Sequence, residues 1–325
     1  MSLRSHRCCA FVLICCVLST PGMAADGVVK VTPLGSHDGE FCRYDRALLF
    51  EDPNGTRVLY DAGRTVAGGT DPRLGAVDII LVSHLHGDHV GDRHIAAVNA
   101  GECGQPQMPV AATPGSNSVA IALAKKAKIV TGSEMPKFFA TRLAAGGGDE
   151  KDAKLVRFGG TLTIAGVTIT TVPAAHSNGI APNFIGGTLG DMLQAAGITA
   201  YAGPPTGYVV SFSNGLVVYL SGDTGITAEQ RSVVHDHYAA ELAVINIGDT
   251  FTTGPDEAAH VINQLVQPAT VIASHANEAA TQQGRVIDGT RTARFVAAAQ
   301  VPVVVPLSGA TYAFDAQGRC VEGCR

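Results

Sequence analysis

Residues Ser83–Asp92 read SHLHGDHVGD and follow the apolar run Asp78–Val82, DIILV. Three of the chain's 11 histidines and one aspartate fall between His84 and His89. The run has the length and composition of a strand buried on both faces. His84 and His86 are two apart, so an extended backbone projects both from one face. Gly87 then allows a sharp turn that brings Asp88 and His89 back to the same point. Imidazole nitrogens with a carboxylate suit zinc first, and also manganese or iron. One ion cannot readily use four donors from so short a segment, which points to two adjacent ions.

Working outward, the chain alternates strand-like and helix-like pieces, as an α/β protein does. Thr56–Gly63 (TRVLYDAG) reads as a strand after the Asn54-Gly55 turn signal, and Asn117–Val130 has helical spacing. Gly159–Ala174 reads as two strands joined at Ala165-Gly166. Asn214–Gly225 (NGLVVYLSGDTG) echoes Asn54–Thr65 (NGTRVLYDAGRT), which suggests two related half-domains. A helix fits Pro255–Val266, with Thr253 as its cap, Pro255 in the first turn, and Asp256 and Glu257 at the positive end of the dipole. Asn178–Gly207 is rich in glycine and proline and reads as a lid or pocket wall. Three ligand-capable residues stand where later strands meet loops: His176 after TVPAA, Asp223 after YLSG and His275 after VIAS.

The order H-x-H-x-D-H, then His, Asp and His, is similar to that of the metallo-β-lactamase superfamily. Within it, HSNG at His176, SGDTG around Asp223 and IGDTFTTGPDEAA (Ile247–Ala259) resemble the metal-dependent hydrolase branch that includes ascorbate-6-phosphate lactonases. The resemblance implies a four-layer αβ/βα sandwich with two divalent metal ions at the rim between two sheets. His84, His86 and His176 would hold the first ion, Asp88, His89 and His275 the second, and Asp223 would bridge them. A hydroxide shared by the ions would be the nucleophile. Asp88 would be the catalytic residue, orienting the hydroxide and passing a proton to the leaving group. Asp61, in YDAG, would support a ligand rather than be one. Two stretches depart from the branch: ANEAATQQG after His275, and Leu34–Phe50, LGSHDGEFCRYDRALLF. His37 reads as an ordinary loop histidine; His94, His235, His237 and His260 are assigned to surface or packing, His260 on the polar face of its helix.

The implied activity is hydrolysis of a lactone, ester or amide of a small molecule. β-Lactam hydrolysis is the alternative, although exported di-zinc β-lactamases commonly carry cysteine where this chain has Asp223. Cleavage of a small phosphodiester is another, and a metal-binding module without catalysis is the non-enzymatic one. The net charge of −5 speaks against nucleic acid held through phosphates. The start of the chain, with Arg4, His6 and Arg7, the apolar Cys8–Leu18 and small residues at Gly22-Met23-Ala24, has the pattern of a secretory signal peptide over residues 1–24. The hydrolase domain is then 25–325, in the periplasm or secreted, with no membrane contact after signal removal. Cys42, Cys103, Cys320 and Cys324 would meet an oxidising compartment, where more than one pairing is open; Cys320 and Cys324 are close enough to bridge.

Overall fold

The structure, a computed structural model, describes residues 27–101, 103, 108–109 and 115–324. The signal-peptide expectation lies outside the described residues. Two mixed sheets face each other. The first runs in the order β15 (Cys320–Glu322), β14 (Tyr312–Phe314), β1 (Val29–Pro33), β2 (Leu48–Glu51), β3 (Arg57–Tyr60), β4 (Ile79–Leu81), β5 (Lys128–Thr131), β6 (Ala153–Leu155). The second runs β13 (Val303–Val304), β12 (Thr270–Ser274), β11 (Leu242–Asn246), β10 (Val217–Leu220), β9 (Thr206–Ser211), β8 (Val167–Pro173), β7 (Thr161–Ile164).

Alternation along each strand builds the layers. Ile79 and Leu81 of β4 join Val58, Tyr60, Tyr208, Leu220 and Val244 in a core between the sheets. Ile80 and Val82 point the other way, into a cluster with Val119, Ile121, Met135 and Phe139 from the helices Asn117–Lys125 and Met135–Ala145. On the far side, Tyr219, Ala243, Ile245 and Val271 pack on Ala258, Ile262 and Phe295 of the helical segments after β11 and β12. Helices therefore cover both outer faces, giving the four layers, and both faces of β4 are buried, which is why it reads as an unbroken apolar run.

The echo between Asn54–Thr65 and Asn214–Gly225 has a structural counterpart. β2 pairs antiparallel with β3, which pairs parallel with β4; β9 pairs antiparallel with β10, which pairs parallel with β11. Ala165 and Gly166 both have positive φ, 47° and 85°, and close the two-residue turn between β7 and β8.

Three local expectations change. The helix over Asn117–Val130 stops at Lys125, because Lys126 turns left-handed (φ 57°) and the β-branched Ile129, Val130 and Thr131 are drawn into β5 beside β4. The helix over Pro255–Val266 is α-helical only to His260 and widens to a π-helix over Val261–Val266. Its cap position is Gly254, not Thr253, whose hydroxyl instead donates to the Asn246 carbonyl and accepts from the Asn246 side-chain amide. Asn178–Gly207 folds over the first sheet's helices: Arg142 donates to the Phe184 carbonyl, Ser133 to the Pro204 carbonyl, and Phe184 packs on the outer core. None of its residues lines the cavity over the histidines, although Asn178 Oδ1 accepts from the Leu85 amide between His84 and His86.

Both disulfides are formed, Cys42–Cys103 and Cys320–Cys324. Among the described residues no helix is long and apolar enough to cross a membrane.

Candidate metal centre

Every residue singled out in the sequence as a ligand stands just beyond the end of a strand, and all of them converge. His84 follows β4. His86 occupies the cap of a single helical turn, Gly87–Val90, which carries Asp88 and His89. Gly87 serves here by its small size rather than by a left-handed backbone: a Cβ would sit 2.6 Å from Asp92 Cγ. His176, Asp223 and His275 follow β8, β10 and β12, which all run in the same direction. His275 adopts φ 52°, a strained left-handed backbone for a non-glycine residue.

Asp223 Oδ2 lies 3.9 Å from His84 Nε2, 3.3 Å from His89 Nε2, 3.8 Å from His176 Nε2 and 3.1 Å from His275 Nε2. On one side, His86 Nδ1 is 3.0 Å from His84 Nε2 and 3.4 Å from His176 Nε2. On the other, Asp88 Oδ2 is 3.4 Å from His275 Nε2 and 3.7 Å from His89 Nε2. Donor atoms thus gather as His84–His86–His176, as His84–His89–Asp223 and as Asp88–His89–His275, each set within 4.8 Å.

The surroundings fix the tautomers that a ligand needs. The Asp61 carboxylate accepts from the Ser83 amide (2.8 Å), the Ser83 hydroxyl (2.8 Å) and His89 Nδ1 (2.8 Å). With its proton given to Asp61, Ser83 Oγ accepts from His84 Nδ1 at 2.9 Å. Both rings therefore turn Nε2 toward the centre, as metal-bound histidines do when a second group holds the other nitrogen. The donor set passes a simple test of fit: His89 Nε2, both ring nitrogens of His275 and Asp223 Oδ1 are buried without a hydrogen-bond partner. Buried polar atoms are rarely left so, and a cation is the partner that carboxylate and imidazole lone pairs share.

Burial pulls His84 well below its ordinary range, reinforced by neighbouring His89. Burial likewise lowers His86 and His176, leaving neutral rings. His89 differs: burial would lower it, but Asp223, Asp61 and Asp88 outweigh burial and raise it to about 10. Burial pushes Asp88 and Asp223 up. Arg46 with His89 in the first case, and His275 with His89 in the second, hold both carboxyls well below the usual range.

Sequence reasoning missed two residues. Arg46 Nη2 lies 2.7 Å from Asp88 Oδ2 and donates to Asn277 Oδ1 at 3.1 Å. The only sequence signal for either was that both sit in the stretches departing from the lactonase-like branch. They help line a cavity of about 340 Å³ over His86, Asp88, His176, Asp223 and His275, with Arg43, Tyr44, Arg64 and Phe251 on its other walls. A larger cavity, about 860 Å³, opens beside β13 and shares no residue with the histidine cluster. The histidines read as non-ligands stay out of the cluster: His37 Nδ1 pairs with the Gly101 carbonyl, His94 Nδ1 with Ile95 and His235 Nδ1 with Val266, and His260 is exposed on its helix.

Comparison with known proteins decides the family. A profile of the beta-lactamase superfamily domain matches residues 56–276, a span that includes every candidate ligand. The chain belongs to the metallo-β-lactamase superfamily. It is 29% identical over 236 residues to a UPF0173 metal-dependent hydrolase of Cupriavidus necator, covering 69% of this chain and 68% of the relative. A second UPF0173 metal-dependent hydrolase, from Cupriavidus metallidurans, is 27% identical over 309 residues, covering 91% of this chain and 89% of the relative. In fold, the chain is similar to the metallo hydrolase of the hyperthermophilic archaeon Ignicoccus hospitalis, with a TM-score of 0.57 and 20% identity over 89% of this chain and 99% of that one.

Proposed function

We propose that the protein is a metal-dependent hydrolase that holds two divalent ions and opens a lactone, or another small ester or amide, after export from the cytoplasm. The observation that carries this reading is the position of Asp223 Oδ2, between the His84–His86–His176 donors and the Asp88–His89–His275 donors. One carboxylate oxygen reaching both sets is what two neighbouring ions require of a bridge. His84, His86 and His176 hold one ion in this reading, and Asp88, His89 and His275 the other. Zinc suits the mixed nitrogen and oxygen donors, with manganese or iron as alternatives.

Bound divalent ions lower the pKa of a water and polarise a scissile carbonyl. The residues supply the rest. Asp61 and Ser83 keep His84 and His89 in the tautomers that present Nε2. Asp88 has a partly exposed carboxylate that lines the pocket, anchored by Arg46; it would orient the attacking water, accept the proton that water gives up and pass it to the leaving group. Tyr44 and Phe251 give the cavity apolar walls, and its volume of about 340 Å³ suits a small molecule rather than a polymer.

Purified mature protein reconstituted with zinc or manganese should hydrolyse members of a panel of lactones and p-nitrophenyl esters, and chelation should abolish turnover. A flat response across the panel, with both ions bound, overturns the assignment.

A further inference from the structure

Among the described residues Arg46 is the one arginine paired with a candidate ligand, and its setting is built rather than incidental. Its side chain is 5% exposed. Asp45 anchors the preceding loop by accepting from the Ser36 amide at 3.0 Å and the Cys42 amide at 2.8 Å, and Cys42 is bridged to Cys103. Asn277, two residues beyond His275, takes a second hydrogen bond from the same Nη2 that meets Asp88. Arg46 Nε and Nη1 have no partner, so a buried cation is held chiefly by one carboxylate and one amide.

That carboxylate oxygen is also the one nearest His89 and His275. A cation joined to it must share it with a guanidinium that cannot relieve the conflict by losing its proton. Among the described residues no arginine or lysine is paired with the other donor set. His84 Nδ1 meets the Ser83 hydroxyl and His86 Nε2 the Ser177 hydroxyl, while Arg64, on the cavity wall, is paired through two hydrogen bonds to Asp92. Asp61 stands behind both sets, directly against His89 and through Ser83 behind His84, and is the same with or without Arg46, so a change on replacing Arg46 reads the guanidinium alone.

We infer that Arg46 makes the two donor sets unequal: it is a positioning residue that aims Asp88 and, by sharing its oxygen, leaves the Asp88–His89–His275 set holding its ion more loosely than the His84–His86–His176 set. The inference rests on the two-ion reading above. It gives the chain one resident ion and one exchangeable ion, with Arg46 setting the gap.

Metal-free full-length mature protein titrated with Co²⁺, followed by its visible spectrum and by calorimetry, tests it. The wild type should fill in two separated steps. Arg46→Met should tighten the second step on the order of tenfold, the scale of removing one unit charge beside a bound cation, and leave the first step in place. Arg46→Lys, which keeps the charge, should preserve the separation. An unchanged second step in Arg46→Met, or a common shift of both steps, overturns the inference while leaving two ions. Saturation at a single ion in wild type and variant alike overturns the two-ion reading as well. Circular dichroism of the metal-free variants checks folding. Should Arg46→Met not fold, Asn277→Ala leaves Asp88 as the remaining partner of Nη2 and should loosen the second step several-fold; no shift there, or a tighter second step, overturns the inference equally.

Discussion

Asp61 Oδ2 lies 2.8 Å from His89 Nδ1, with both side chains almost fully buried, and Asp61 Oδ1 holds the Ser83 amide at the same distance. A single carboxylate thus orients His89 directly and His84 through the Ser83 hydroxyl. Asp61 has φ 40°, a left-handed backbone that asparagine tolerates well. Asp61→Asn therefore keeps the turn while removing the charge and one acceptor oxygen. Metal affinity should fall roughly 10- to 100-fold, the usual cost of losing a group behind a metal-bound histidine. Competition against a chromophoric chelator measures it; unchanged affinity would show that Asp61 serves the turn alone.

His89 gives the pH dependence its sign. In the metal-free protein its pKa is raised from 6.5 to about 10, so the ring carries a proton at neutral pH. A raised folded-state pKa contributes stability that is complete below about 6.5 and disappears as pH climbs through 10. The metal-free protein should lose thermal stability across that window. A metal must displace the same proton, so its apparent affinity should rise about tenfold per pH unit between pH 7 and 9. Calorimetry in buffers of differing ionisation enthalpy would count the proton released. Binding without proton release contradicts this assignment.

The donors were legible in the sequence because each is a histidine or aspartate placed where a strand ends, and strand ends are where this architecture gathers side chains. Asp61 could be read the same way. The four layers were less visible in the pattern itself: the apolar run Asp78–Val82 shows that β4 is covered on both faces, but only the family likeness said by what. Arg46 and Asn277 escaped because their importance is a matter of proximity. An arginine in a polar loop has no periodicity, and nothing local to Leu34–Phe50 reveals that Arg46 reaches a carboxylate carried by the Gly87–Val90 turn. Asn178–Gly207 misled for the opposite reason. Its glycines and prolines announce an irregular excursion, whereas its destination was set by Phe184 and Ala202 packing on the outer core.

The two disulfides should differ in worth. Cys42–Cys103 spans 61 positions, whereas Cys320–Cys324 spans 4. Chain-entropy reasoning assigns the longer bridge about 4 kcal/mol and the shorter one less. Replacing Cys42 and Cys103 by serine should lower the unfolding midpoint more than replacing Cys320 and Cys324, and reductant, which opens both bridges, should bring the wild type slightly below the first variant. Equal losses in scanning calorimetry would refute this ordering.

Gly35 shows how packing far from the histidines should reach them. A Cβ on this residue would collide with Asp45 Oδ2 and lie 2.9 Å from Ser308 Cβ. Asp45 has little freedom to yield, since its carboxylate accepts from the Ser36 and Cys42 amides and is buried deeply enough to be pushed up to about 6. The strain in Gly35→Ala must therefore move the loop that carries the adjacent Arg46. Overpacking of this kind costs about 1–3 kcal/mol, so denaturant unfolding should register a loss of that size. The displaced guanidinium should also release Asp88, and cobalt titration of Gly35→Ala should show the second step moving as in Arg46→Met. A variant that loses stability with both metal steps intact would mean that the loop absorbs the strain before it reaches Arg46.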